Sequence, residues 1–194
     1  MPIGTVHDTA RSSVVFFRKE GHKLKYLLVN LALLLLTKSA MTTAVGSQQQ
    51  VLNRYLGNWR SDITLNSSLL VPEARQLSET HNVQWVLDGH ILQELTSQGD
   101  KETALTLKRY NQQRTEFEMW SIQSSGESSY WIGNWKKKSK TLTWEYVDFG
   151  TGVAGELVEH FTAEKERSST LVMKDKKGKL LLDIKAKHIL LPSY

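Results

Sequence analysis

Four histidines offer the first chemistry to weigh: His81, His90, His160 and His188 fall on four different predicted strands or at their ends. Imidazole serves as a metal ligand and as an acid or base near neutral pH. No two of these residues sit at a short, ligand-like interval, so the spacing assigns no metal site, and surface or hydrogen-bonded strand positions account for them. Glu159 and His160 are adjacent, which on a strand sends their side chains to opposite faces. They cannot act on one another directly. Glu116 and Glu118 share a face, as carboxylates on a solvated outer wall do, and paired-carboxylate hydrolysis needs opposed groups at set separations. The sequence has no G-x-S-x-G elbow, no HExxH and no P-loop. Gly150 to Gly155 lacks a following Lys-Ser/Thr and lies between predicted strands, which makes it a hairpin loop. No catalytic residue, metal ligand or cofactor is assigned.

Aromatic side chains carry the stronger signal. Four of the six tryptophans fall within Thr115 to Phe149. Phe117, Met119 and Ser121 alternate there with Glu116, Glu118 and Trp120, the period of two that a pleated strand produces. After the turn at Ser124-Ser125-Gly126-Glu127, Ser128 to Trp135 resumes the pattern. The charged tip Lys136 to Lys140 is expected to be a solvated turn that protects a strand edge. Leu142, Trp144 and Tyr146 then alternate with Thr141, Thr143 and Glu145. Such density has two readings. Packed core and barrel plugs is one. The other is functional: an apolar pocket in the barrel interior, or a stacking surface for a sugar or lipid. The cavity candidates are Trp85, Phe117, Met119, Tyr130, Trp144 and Tyr146, with His160, beside a carboxylate or Tyr146, as the polar candidate.

The elements that must position these residues read as strands throughout. Trp59–Leu65, Leu77–Leu87, His90–Ser97 and Thr103–Tyr110 precede the central three, the last with Leu105 and Leu107 on one face. Leu157–Ala163, Ser169–Lys174 and Lys179–Ile189 follow it. Asp88-Gly89 predicts a two-residue hairpin turn. Ahead of them Val51, Leu52, Tyr55 and Leu56 recur at helical spacing, so a short helix starts near Ser47, a possible N-cap, and Gly57 ends it. About ten evenly spaced strands with short polar turns are those of an up-and-down barrel or a sandwich, and the expectation is the first: an all-β, antiparallel up-and-down barrel of 8–10 strands with a short N-terminal helix. Only the Asn66–Gln76 loop is long, and no linker divides residues 45–194, which are expected to form one domain.

Composition narrows the function classes. The chain has 194 residues and no cysteine, which excludes disulfides, a thiolate nucleophile and cysteine-ligated zinc. The formal charge of +5 resides at one end: residues 1–44 carry six basic against two acidic side chains, and the rest carries 19 against 18. A nearly neutral domain has little general attraction for phosphate backbones, so no nucleic-acid partner is expected. Residues 1–44 read as a leader and secretory signal. Lys23 and Lys25 end a basic segment, the apolar run from Tyr26 to Leu36 is shorter than the roughly 20 residues that span a bilayer, and Thr42-Thr43-Ala44 suits cleavage before Val45. An exported protein with no stable membrane span after cleavage is the expectation. The sequence sets no oligomeric state.

Two resemblances add to this. Asn53-Arg54-Tyr55-Leu56-Gly57-Asn58-Trp59 resembles the lipocalin opening, a G-x-W after a short helix. That resemblance implies that Trp59 plugs the closed end of a barrel and that a basic side chain from the last strand, Lys185 or Lys187, stacks on it. Leu56 to Trp59, Val86 to His90, Trp131 to Trp135, Thr141 to Trp144 and Lys174 to Lys179 occur in an order similar to a family of exported bacterial lipocalin-like proteins defined as a domain of unknown function. This resemblance covers roughly residues 50–190. It implies a barrel and export, and no chemistry. The functional expectation is therefore a binding module for a small apolar or amphipathic ligand in the barrel. A structural or interaction protein with a filled barrel is the alternative, and a hydrolase or isomerase the third reading.

Overall fold

Ten antiparallel strands close on themselves in the computed structural model, which describes residues 48–192. The leader, the cleavage point before Val45 and the Ser47 cap lie outside the described residues. The strands are β1 (Gly57–Leu65), β2 (Arg75–Val86), β3 (Ile91–Gln98), β4 (Lys101–Asn111), β5 (Glu116–Gln123), β6 (Ser128–Lys136), β7 (Thr141–Tyr146), β8 (Ala154–Ala163), β9 (Glu166–Lys174) and β10 (Leu180–Leu190). Each pairs with its sequence neighbours. β1 also pairs with β10, from Trp59 opposite Leu190 to Leu65 opposite Ile184, which closes the up-and-down barrel and leaves no free edge.

A short helix over residues 48–52, continuing into a 3-10 turn at Asn53–Tyr55, lies just ahead of β1. Its Val51, Leu52 and Tyr55 are buried with the strand residues Trp59, Leu92, Leu142, Trp144 and Phe161 in one cluster. Trp59 Nε1 donates to the Tyr55 carbonyl at 2.7 Å, and Arg54 lies 5.5 Å over the Trp135 ring. Gln49 donates to the Gly89 carbonyl, and Trp85 Nε1 donates to Asn53 at 2.8 Å. These contacts tie the helix to the β2–β3 and β6–β7 hairpins, so it closes that end of the barrel. Full burial of a side chain such as Leu52, Leu92 or Leu142 stabilises the fold by about 1.5–3 kcal/mol.

One detail differs from the sequence expectation. The β2–β3 connection has four residues, not two, because Val86 pairs with Ile91. Leu87, Asp88 and Gly89 all take positive φ there. In β4 Leu105 and Leu107 share one face, as expected, and it is the outer one, while Ala104, Thr106, Lys108 and Tyr110 face inward. Leu105 pairs with Leu95 and Ile122, and Leu107 with Trp120, so these leucines meet cross-strand partners on the outer wall.

Candidate functional site

Inward positions of six strands bring ionisable side chains to one level across the barrel. Glu94 (β3), Lys108 (β4), Glu159 (β8), Arg167 (β9), His188 (β10) and His81 (β2) are all buried, with Ser61 of β1 fully so. Each follows from the strand period of two: Leu92 and Thr96 share Glu94's face, and Leu157 and Phe161 share that of Glu159.

Glu94 accepts from Lys108 Nζ, has His81 Nδ1 at 2.9 Å and has Arg167 Nη2 at 3.8 Å. Burial by itself would raise its pKa. The Lys108 ammonium, the His81 hydrogen bond and the Arg167 charge outweigh that and hold it well below the usual carboxylate value. Glu159 accepts from Arg167 Nη1 at 2.7 Å, from Trp144 Nε1 at 2.7 Å and from the Tyr55 hydroxyl. Burial and then the Glu159 charge raise the Tyr55 pKa well above its ordinary value, so the phenol stays protonated and donating. The Arg167 guanidinium lies 4.8 Å from the Tyr55 ring and 5.3 Å from the Trp59 ring. The basic group on Trp59 therefore comes from β9. Lys185 and Lys187, expected there from the resemblance, are exposed on the outer wall, because Ala186 and His188 take the alternating inward positions.

A line of hydrogen bonds runs from β9 to β3. Ser169 Oγ is 2.9 Å from His188 Nε2, His188 Nδ1 is 2.5 Å from Ser61 Oγ, and Ser61 Oγ is 2.7 Å from His81 Nε2. One set of donors satisfies the line. His81 Nδ1–H donates to Glu94, Ser61 to His81 Nε2, His188 Nδ1–H to Ser61, and Ser169 to His188 Nε2. It requires a neutral His188, whose pKa is pushed down to about 2 by burial, the Arg167 charge and His81. Ser61, His81 and Glu94 thus stand in the hydroxyl–imidazole–carboxylate order of a nucleophilic triad. Ser61 is fully enclosed, however, and its oxygen is already held by both imidazoles. The arrangement orients side chains and gives a substrate no path to the hydroxyl.

Above this charged belt, away from the helix, lies a cavity of about 600 Å³. Met119, Trp131, Tyr146, Leu157, Leu171 and Met173 form its apolar wall, and Lys108, Glu94, Glu159, Arg167 and His188 contribute to its floor. A second concavity, of about 570 Å³, crosses the outer wall over outward residues such as Glu116, Asn134, Thr143, Glu145 and Glu156. It has no comparable set of buried converging groups. Among the described residues no cluster of His, Asp and Glu is arranged to hold a metal ion, and no helix is long and apolar enough to cross a membrane.

The structure separates the sequence-selected residues into three groups. Met119 and Tyr146 line the cavity. Phe117 and Trp144 are buried on the helix side of it, their rings 6.4 Å apart, and Trp85 is held against the helix by Asn53, as Trp59 is by Tyr55. Tyr130 and His160 are on the outer wall. Tyr130 stacks on Trp120 at 5.1 Å and donates to Glu118 at 3.2 Å; exposed His160 has Nδ1 3.0 Å from Thr141 Oγ1. Their inward places belong to the neighbours Trp131 and Glu159. Four of the floor's charged residues, Glu94, Lys108, Glu159 and Arg167, were not signalled by spacing. The one usable sign is a charged residue sharing a strand face with aliphatic ones.

The fold and the site together define a closed ten-stranded antiparallel barrel with a charged floor under an apolar cavity. No family model matches the chain, and no curated protein matches it significantly. Among solved structures it is similar to the Rv2717c protein of M. tuberculosis, at 15% identity and a TM-score of 0.53, over 74% of this chain and 96% of that one. It is also similar to a protein of unknown function from the DUF3598 family of Nostoc punctiforme, at 12% identity and a TM-score of 0.48, over 72% of this chain. The chain spans about half (49%) of that protein's length. At such identities the likeness concerns the fold alone.

Proposed function

We propose that this barrel is a binding module for one small apolar or amphipathic molecule, held above the charged belt, in an exported protein of the lipocalin-like kind. The observation that carries the reading is the cavity of about 600 Å³ with Met119, Trp131, Tyr146, Leu157, Leu171 and Met173 around it. Ligand sites of this type run to about 300–1,000 Å³, with apolar walls and a few converging polar groups. The helix blocks the opposite end, so a ligand enters between the β1–β2, β3–β4, β5–β6, β7–β8 and β9–β10 connections. Leu69, Leu70 and Phe149, all exposed, belong to two of these connections and give that end an apolar rim.

Trp131 sits in the proposed wall, so its emission reports occupancy. Titration with fatty acids, haem and isoprenoids, each followed by tryptophan fluorescence and by thermal shift, is expected to give saturable quenching and a raised melting temperature with at least one of them. No saturable response from any class would overturn the reading and favour a barrel used only as a scaffold. Export is tested separately. N-terminal sequencing of the protein recovered from its native host is expected to start at Val45, and an intact leader on cell-internal protein would contradict it.

A further inference from the structure

Arg167 says more about the ligand than the apolar wall does. Its side chain is 2% exposed, and it enters the floor from β9. Nη1 is committed to Glu159, and Tyr55 and Trp59 lie at its faces. Among the described residues, Nε and Nη2 are buried and have no hydrogen-bond partner. Glu94 Oε1 comes only to 3.8 Å from Nη2, beyond hydrogen-bond range. Buried donors are nearly always paired, and a charged one left unpaired is costly. Nε and Nη2 share one edge of the guanidinium, and that edge grips two coplanar oxygens by parallel N–H···O bonds.

We propose that the ligand carries a carboxylate at its buried end and that Arg167 holds it side-on through Nε and Nη2, with the apolar tail against Met119, Trp131, Leu171 and Met173. This rests on the reading of the barrel as a ligand-binding module. Both donor atoms are closed to solvent, so the headgroup displaces the side chains covering them, and the two charge-assisted bonds offset that work. The floor's own charges already cancel, Lys108 and Arg167 against Glu94 and Glu159.

The test compares dodecanoic acid with dodecan-1-ol, two probes with the same tail, by calorimetric titration of the wild-type protein and of Arg167→Lys, which keeps the charge and loses the fork. The acid is expected to bind at least about tenfold tighter than the alcohol to wild type. Arg167→Lys is expected to erase that ratio. Equal affinities in wild type, or a ratio that survives the substitution, would overturn the carboxylate assignment and leave the binding-module reading standing. Binding of neither probe, together with no response to the wider screen above, would overturn both. Should the variant fail to fold, the wild-type ratio still decides.

Discussion

On the helix side of the charged belt the barrel is solid; on the other side the same ten strands enclose space. The difference lies in the volume of the inward side chains and in what caps each end. On the helix side, inward positions hold Trp59, Phe117, Leu142, Trp144 and Phe161, and Leu52 and Tyr55 of the helix fill what the strands leave. Gly133 is required there, because a Cβ on it would come within 2.6 Å of the Trp144 ring. Toward the open end, Ser121, Ser129, Ser169 and Gly155 take inward positions, and among the described residues nothing seals the mouth. Small barrels of about eight strands either leave interior room for one small ligand or are filled by side chains. This ten-stranded one is filled on one side and hollow on the other, with the salt-bridged layer as the partition.

Breaking the partition should have the largest effect. Glu159→Ala removes the acceptor of Arg167, Tyr55 and Trp144 and leaves a buried cation unpaired, which should destabilise the fold by about 3–5 kcal/mol in urea unfolding at constant m-value. A loss below about 1 kcal/mol would mean that the partition does not support the fold. Next comes a matched pair across it. Leu142→Ala, in the packed half, should cost about 2–5 kcal/mol. Leu171→Ala, in the cavity wall, should cost less than half as much, since its neighbourhood is already open. Equal costs would show that the two halves are packed alike.

Gly133→Ala follows, at about 1–3 kcal/mol from overpacking against Trp144, with near-ultraviolet circular dichroism reporting the displaced indole. The smallest effect is read per pH unit. His188 has a folded pKa of about 2 against an ordinary 6.5, so between these values the unfolded chain binds the extra proton. Stability therefore rises with pH, is complete above about 6.5 and is lost on acidification, by about 1.4 kcal/mol per unit near pH 5. Glu94, held well below its usual value, adds loss of the same sign below about pH 4.5. His188→Asn should flatten the slope between pH 6 and 5 and leave the steeper fall at lower pH. An unchanged slope would place the titration elsewhere.

The contrast between the halves was only partly legible in the sequence. Leu142, Trp144 and Tyr146 alternate cleanly with polar residues, and the structure faces all three inward. Where aromatic or aliphatic residues occupy both phases of a strand, the period gives no orientation. Tyr130 and Trp131 are adjacent, and the stacking of Tyr130 on Trp120 settles it outside. In β4 the leucines follow the outward phase and Lys108 the inward one, because Glu94 across the β3–β4 pair gives the lysine a buried partner. His160 and Glu159 exchange expected places for the same reason, since Arg167 awaits the carboxylate. Arg167 itself fell outside the predicted strand, which began two residues later at Ser169.

The sequence by itself determined the strands, their number and their up-and-down order, because side-chain period and turn residues are local properties of the chain. Only the closed structure decided which face of the mixed strands turns inward, and it alone assembled Glu94, Lys108, Glu159, Arg167 and His188 at one level. Those residues are scattered from position 94 to position 188, and each buried charge is tolerable only beside partners that closure of β1 on β10 brings within reach.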